Sequence, residues 1–217
     1  MPNPTPNSQL LASNHKFKIG FLSSHDGSNM QAIIDACREG KLAMQPVVII
    51  SNNAASNTLR RAKKEKIPAY HLSKKTHPDP QELDIVIRDT LINHQVDLVV
   101  LAGYVKKVAT QTIKSFKNRI LNIHPALLPK YGGQNMYGLN VHRSVIENQE
   151  TKTGITIHLV DEKYDHGSIL ATTEIPVHPE DTAETLQKKV LGREHSFYVD
   201  ILAKIRKLPL RKDDLCR

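Results

Sequence analysis

Hydrophobic positions along this 217-residue chain fall into two alternating kinds of segment. Short, nearly continuous apolar runs bounded by polar turns occupy residues 16–24 (KFKIGFLSS), 46–51 (PVVIIS), 68–72, 97–104 (DLVVLAGY) and 119–125 (RILNIHP). Runs of that length, without polar alternation, predict strands buried on both faces. Between them lie segments with helical spacing. Ile33, Ile34 and Cys37 recur so within 30–38, and Leu83, Ile87, Leu91 and Ile92 form a stripe within 81–94. A charged helix is expected over 59–66 and a short one over 109–116.

After residue 125 the pattern changes. Residues 131–140 are rich in glycine and polar side chains and predict a loop. Apolar stretches at 155–160 and 169–177 flank the turn DEKYDHG, which suggests an antiparallel pair. A long helix is expected over 183–207, with Leu186, Val190, Phe197, Ile201 and Ile205 facing inward. No internal repeat is present. The pattern therefore predicts a single α/β domain over residues 16–209. It has a Rossmann-like, mostly parallel sheet flanked by helices and an antiparallel C-terminal part. Residues 1–15, with three prolines and little apolar content, are expected to form a disordered arm, and 210–217 a C-terminal tail.

Composition narrows the classes. No apolar run approaches the length of a membrane span, and the first residues lack the basic start and apolar stretch of a secretory signal. Cys37 and Cys216 have neither disulfide-framework nor metal-ligand spacing. A reducing cytoplasm is the expected location. The formal net charge of +8 gathers at RRAKKEK (60–66) and again over 204–212. Such runs read either as solvated helix faces or as a positive field for polyanionic ligands. Aromatic residues are only 5% of the chain and no nucleic-acid-binding module is recognisable, so no nucleic-acid partner is expected. The histidines form no HExxH-like pairing, and no metal is expected.

Three places could carry chemistry. Gly27, Ser28 and Asn29 lie between the first strand and the first helix, where backbone amides and the helix terminus suit a phosphate. An ordinary helix cap from Ser28 or Asn29 is the alternative. Asn122 and His124 are two apart in a strand and project from one face, while Ile123 points to the core. They stand at a strand's C-terminal end, where α/β folds place ligands. The third place is the acidic turn 161–167. A carboxylate reaching from it to His124 would favour imidazolium and raise the histidine's pKa. Its plainer reading is turn chemistry.

Taken in order, GSN-x-Q-A-I-I, LAGY, LNIHPALLPKYGG and VDEKYDHGSIL resemble the glycinamide ribonucleotide (GAR) formyltransferases of purine biosynthesis, over residues 16–209. The NIHPALLP segment followed by DE-x-x-D-x-G is shared with other folate-dependent formyltransferases. The GSN loop and the chain length favour the GAR group, since the tRNA enzyme and the deformylase carry additional domains that are not expected here. The resemblance implies formyl transfer from 10-formyltetrahydrofolate to the amine of GAR, both small molecules, by a monomer or weak homodimer. It implies that Asn122 binds the formyl oxygen, that His124 is the catalytic acid, and that Asp165 holds His124 oriented and charged. Gly27, Ser28 and Asn29 would cradle the substrate phosphate, and Glu194 would reach the GAR moiety. Val105, Lys106, Lys107 and Val108 would line the pterin pocket with Leu121 and Asn122. The chain departs from the family at His25, where a glycine is common, at Ser168 and Thr172, and near Pro80, where some members have a folate-contacting arginine. Two rival readings are a formyltransferase for a nucleotide-linked amino sugar and a nucleic-acid-binding protein on a degenerate enzyme fold.

Overall fold

The apolar run 97–104 forms β4 (Leu98–Leu101), the middle strand of a seven-stranded sheet in the computed structural model, which describes residues 16–207. The expected arm over 1–15 and the tail over 210–217 lie outside the described residues. The other strands are β1 (Phe17–Ser23), β2 (Met44–Ser51), β3 (Ala69–His71), β5 (Ile120–His124), β6 (Lys152–Leu159) and β7 (Ile169–Pro176). The sheet order is β3-β2-β1-β4-β5-β6-β7. β1 to β5 pair in parallel, whereas β5–β6 and β6–β7 are antiparallel, as the change of pattern after residue 125 predicts.

Among the described residues six helices cover this sheet: α1 (Ser28–Arg38), α2 (Asn57–Lys64), α3 (Pro80–Asn93), α4 (Thr110–Ser115), α5 (Leu139–Glu147) and α6 (Ala183–Lys207). Strand alternation divides the core between two faces. Phe21, Ile49, Val100 and Leu121 pack with α1, α5 and α6, while Leu22, Ile50, Val99 and Ile120 pack with α3 and α4. All five inward positions expected on α6 are buried. On α3 the stripe is narrower than its spacing suggests: Ile87 and Leu91 are buried, but Ile92 is 49% exposed on the outer face.

Two local departures have clear causes. Pro46 lies inside β2, next to the register shift at Ile19/Gly20. There the ladder is already irregular and a missing N–H is tolerated. Helix α5 begins inside the segment expected to be a loop. A nine-residue helix is marginal by itself. Packing of Val141, His142 and Val145 into the interior supplies what local propensity does not.

Candidate active site

The chain reverses direction across the sheet between β1 and β4, since β2 lies on one side of β1 and β4 on the other. The loops leaving these two strands bound a crevice of the kind in which α/β sheets bind ligands. A cleft of about 690 Å³ occupies it. Its walls include 25–29 after β1, 101–108 after β4, 122–125 at the end of β5, the 133–142 segment and residues of the β6–β7 turn.

At one end, Gly27 caps α1 with φ of 72°, and no side chain caps the helix. Ser28 and Asn29 are therefore its first residues, not its caps. A side chain at position 27 would be strained at that φ, and its Cβ would stand 2.8 Å from Thr58 Oγ1. His25 and Asp26 are tied down by α2. The His25 carbonyl accepts from Thr58 N and Oγ1, and the Asp26 carboxylate meets Arg61 Nη2 at 2.9 Å and Asn57 Nδ2 at 3.0 Å. One member of the basic run 60–66 thus braces this loop. Deeper in, Asn29 Nδ2 donates to Glu194 Oε2 at 2.6 Å, while Asn29 Oδ1 is buried with no partner. The bare helix N-terminus fits a phosphate-bearing ligand, and the unpartnered Asn29 Oδ1, an acceptor, fits a donor group elsewhere on it.

At the other end, Asp165 is a hub. It comes from the β6–β7 turn with φ of 51°, and Gly167 closes that turn where a Cβ would lie 1.9 Å from the Leu159 carbonyl oxygen. Asp165 Oδ1 accepts from Asn122 Nδ2 at 3.3 Å and lies 3.5 Å from His158 Nε2. Oδ2 accepts from Gly133 N at 2.9 Å and stands 3.6 Å from His124 Nδ1. His124 Nε2 donates to the Tyr131 carbonyl at 2.7 Å. His158, opposite Asn122 in the β5–β6 pairing, donates from Nδ1 to the Leu159 carbonyl, leaving Nε2 to accept from Asn122 Nδ2 at 3.1 Å; these tautomers are assigned from the hydrogen-bond network. Thr156 pins the chain beyond β5, donating to the Ala126 carbonyl and accepting from Leu128 N.

The charge on His124 differs from the sequence expectation. Burial holds its imidazole below the ordinary value of 6.5, and His158 adds to this, while Asp165 and the Tyr131 carbonyl work upward without prevailing. The resting imidazole is therefore neutral at pH 7. Burial also tends to raise Asp165, but the adjoining His158 and His124 rings and the Gly133 amide leave it below the usual carboxylate value. His142, on α5, lines the same cleft with Nδ1 buried and unpartnered. Burial, then His124, brings its pKa down to about 4.

The formyl transferase family model matches residues 17–202, which is most of the chain. The chain belongs to the formyl transferase family. Phosphoribosylglycinamide formyltransferase of Haemophilus influenzae is 39% identical over 181 residues, covering 83% of each protein. The chloroplastic phosphoribosylglycinamide formyltransferase of Vigna unguiculata is 39% identical over 201 residues, and the chain spans 64% of that protein's length. Among solved structures, glycinamide ribonucleotide transformylase 1 from Symbiobacterium toebii superposes with a TM-score of 0.81 at 36% identity, covering 88% of this chain and 87% of that one. The Bacillus halodurans phosphoribosylglycinamide formyltransferase gives 0.82 at 33% identity, over 89% and 97%.

As a formyl transferase site, the cleft contains most of the residues expected from the sequence. Gly27, Ser28, Asn29, Val105, Lys106, Lys107, Val108, Asn122, His124, Asp165 and Glu194 all line it. Leu121 does not. It alternates to the opposite face of β5, is fully buried in the core, and its carbonyl accepts from Tyr198 Oη. His158, His142 and Tyr131 were not anticipated. The signal for His158 was present, since Thr156 and His158 are alternate polar positions within the apolar stretch 155–160. Among the described residues no cluster of three or more His, Cys, Asp or Glu side chains could hold a metal, and no helix is long and apolar enough to cross a membrane.

Glu194 yields a test of this site in the ligand-free protein. Burial raises its carboxyl from the ordinary 4.5 to about 7, against the opposing Asn29 hydrogen bond. Between those values the unfolded chain releases the proton and the folded one keeps it, so folding stability falls as pH rises and then levels off. Glu194→Gln abolishes that loss. Relative to wild type, the variant should gain on the order of 3 kcal/mol between pH 4 and pH 8, at about 1.4 kcal/mol per pKa unit. Urea unfolding at the two pH values measures it. A constant difference would mean that Glu194 ionises as freely in the fold as in water.

Proposed function

We propose that this chain transfers the formyl group of 10-formyltetrahydrofolate to the amine of 5'-phosphoribosylglycinamide, giving N-formyl-GAR and tetrahydrofolate, as a cytoplasmic monomer or weak homodimer of purine biosynthesis. One observation supports this above the others: a single cleft has a phosphate-suited helix terminus at one end and the His124–Asp165–Asn122 group at the other. The cleft's volume is ordinary for a small-molecule site. Val105 to Val108 form the wall where the flat pterin is accommodated.

The substrate amine attacks the formyl carbon, a C–N bond forms, and the carbonyl pair moves onto oxygen. Asn122 stabilises that oxyanion by lending it the amide hydrogen now held on Asp165 at the long distance of 3.3 Å. The neutral His124 takes a proton from the attacking nitrogen and delivers it to the departing folate nitrogen as the oxyanion's pair re-forms the carbonyl and the C–N bond to the folate breaks. Asp165, 3.6 Å from Nδ1, stabilises the imidazolium in transit. Asp165 thus acts on a transient cation instead of maintaining a permanent one.

A panel of amine acceptors with 10-formyltetrahydrofolate tests the assignment by following loss of the formyl donor. GAR should be used with a kcat/KM at least ~100-fold above an amino-sugar nucleotide, because a site built to hold one set of polar groups rejects analogues that leave them unpaired. Preference for the sugar nucleotide would return Gly27–Asn29 to the role of a simple helix start.

A further inference from the structure

The short segment from Lys130 to Gly133 touches both members of the histidine–aspartate pair through main-chain atoms. The Tyr131 carbonyl accepts from His124 Nε2, and the Gly133 amide donates to Asp165 Oδ2. Tyr131 does this with φ of 55°, a left-handed conformation that is uncommon for a residue with a side chain. Such a conformation persists only where its surroundings hold it. Here the hold lies outside the cleft. The Tyr131 phenol donates to Glu150 Oε1 at 2.8 Å, and Lys130 Nζ meets the same oxygen at 2.9 Å. Glu150 lies between α5 and β6, so the strap is fastened to the connection that leads into the strand supplying Thr156 and His158. Neither Tyr131 nor Glu150 lines the cleft. Burial, then Glu150, pushes the phenol to about 12, while Lys130 and then Tyr131 hold the Glu150 carboxyl below its usual value. Donor and acceptor therefore keep their roles throughout the neutral range.

We propose that the Tyr131–Glu150 hydrogen bond positions His124 for catalysis. It holds the Tyr131 carbonyl against Nε2, which keeps the proton on that nitrogen and leaves Nδ1 basic, facing Asp165. Tyr131 and Glu150 are positioning residues, since they act through His124 and touch no substrate. The proposal rests on the reading of His124 as the proton carrier.

The test uses the whole protein with GAR and 10-formyltetrahydrofolate, measuring kcat and both KM values with melting curves alongside. Tyr131→Phe and Glu150→Ala should each lower kcat by about 5- to 10-fold, the rate equivalent of one lost hydrogen bond of ordinary strength, and leave both KM values within about twofold. Glu150→Gln keeps an acceptor oxygen and should retain most of the rate. In a His124→Ala background, Tyr131→Phe should cost nothing further, as for residues that act as a unit. A lowered melting temperature with unchanged kcat in both Tyr131→Phe and Glu150→Ala would make the bond structural only and overturn the proposal. So would a full multiplicative loss in the His124→Ala background. Undiminished kcat in His124→Ala alone would instead remove the catalytic reading on which the proposal stands.

Discussion

Replacing His124 by alanine should lower kcat by roughly 10²–10⁴, the usual worth of a positioned proton carrier. The geometry concentrates that effect in one ring. Its Nε2 is engaged by the Tyr131 carbonyl and its Nδ1 faces Asp165, so no other group among those described stands in the same relation to the hub. His158 is the nearest alternative, but its Nδ1 is committed to the Leu159 carbonyl and its Nε2 to Asn122. The neutral resting state makes a further, signed expectation. Because burial holds the His124 pKa below 6.5, its imidazole NMR titration should have a midpoint on the acid side of that value. In Asp165→Asn the midpoint should fall further, since the substitution removes an upward influence and leaves the burial. A midpoint above 7 in the wild type would restore the imidazolium as the resting form. Near-wild-type kcat in His124→Ala, with circular dichroism confirming the fold, would sink the proposed mechanism.

Asn122→Ala should cost on the order of 10²–10³ in kcat, as for one lost oxyanion donor. This value needs a control, because both Asn122 amide hydrogens are engaged in the resting protein, one on Asp165 and one on His158. Truncation therefore also deprives those two acceptors of a partner. His158→Ala separates the contributions: it removes the second acceptor without touching the amide. If Asn122 serves the oxyanion, its loss should exceed that of His158→Ala by at least tenfold, with the folate KM little changed. Equal losses would mean that the three side chains matter only for the posture of Asp165. The departure at His25 is not expected to enter either measurement, because Thr58 holds its carbonyl at the far end of the cleft.

Much of this site could be read along the chain because its parts are local. Gly27 starts α1 at a φ of 72°, a conformation that suits glycine. Asn122 and His124 share a face by the two-residue repeat of a strand, and Asp165 lies in a turn whose Gly167 leaves no room for a side chain. The same alternation assigns Leu121 to the core, although resemblance to the family placed it at the pterin pocket.

By itself, then, the sequence determined the parallel half of the sheet, the antiparallel pair and the long closing helix, and it placed Asn122 and His124 on one strand face, while Asp165 was singled out by the family resemblance. Each follows from hydrophobic periodicity, from strand or turn geometry, or from a motif contained in a few consecutive residues. The tertiary structure alone decided α5, whose nine residues need the interior to stabilise them. It also decided that His158 joins Asn122 across two strands 36 positions apart, and that Tyr131 is fastened to Glu150. Above all it decided the charge of His124. An acidic neighbour predicts imidazolium, and the neighbour is there, but desolvation is set by everything packed around the ring, and no local stretch of sequence specifies that sum.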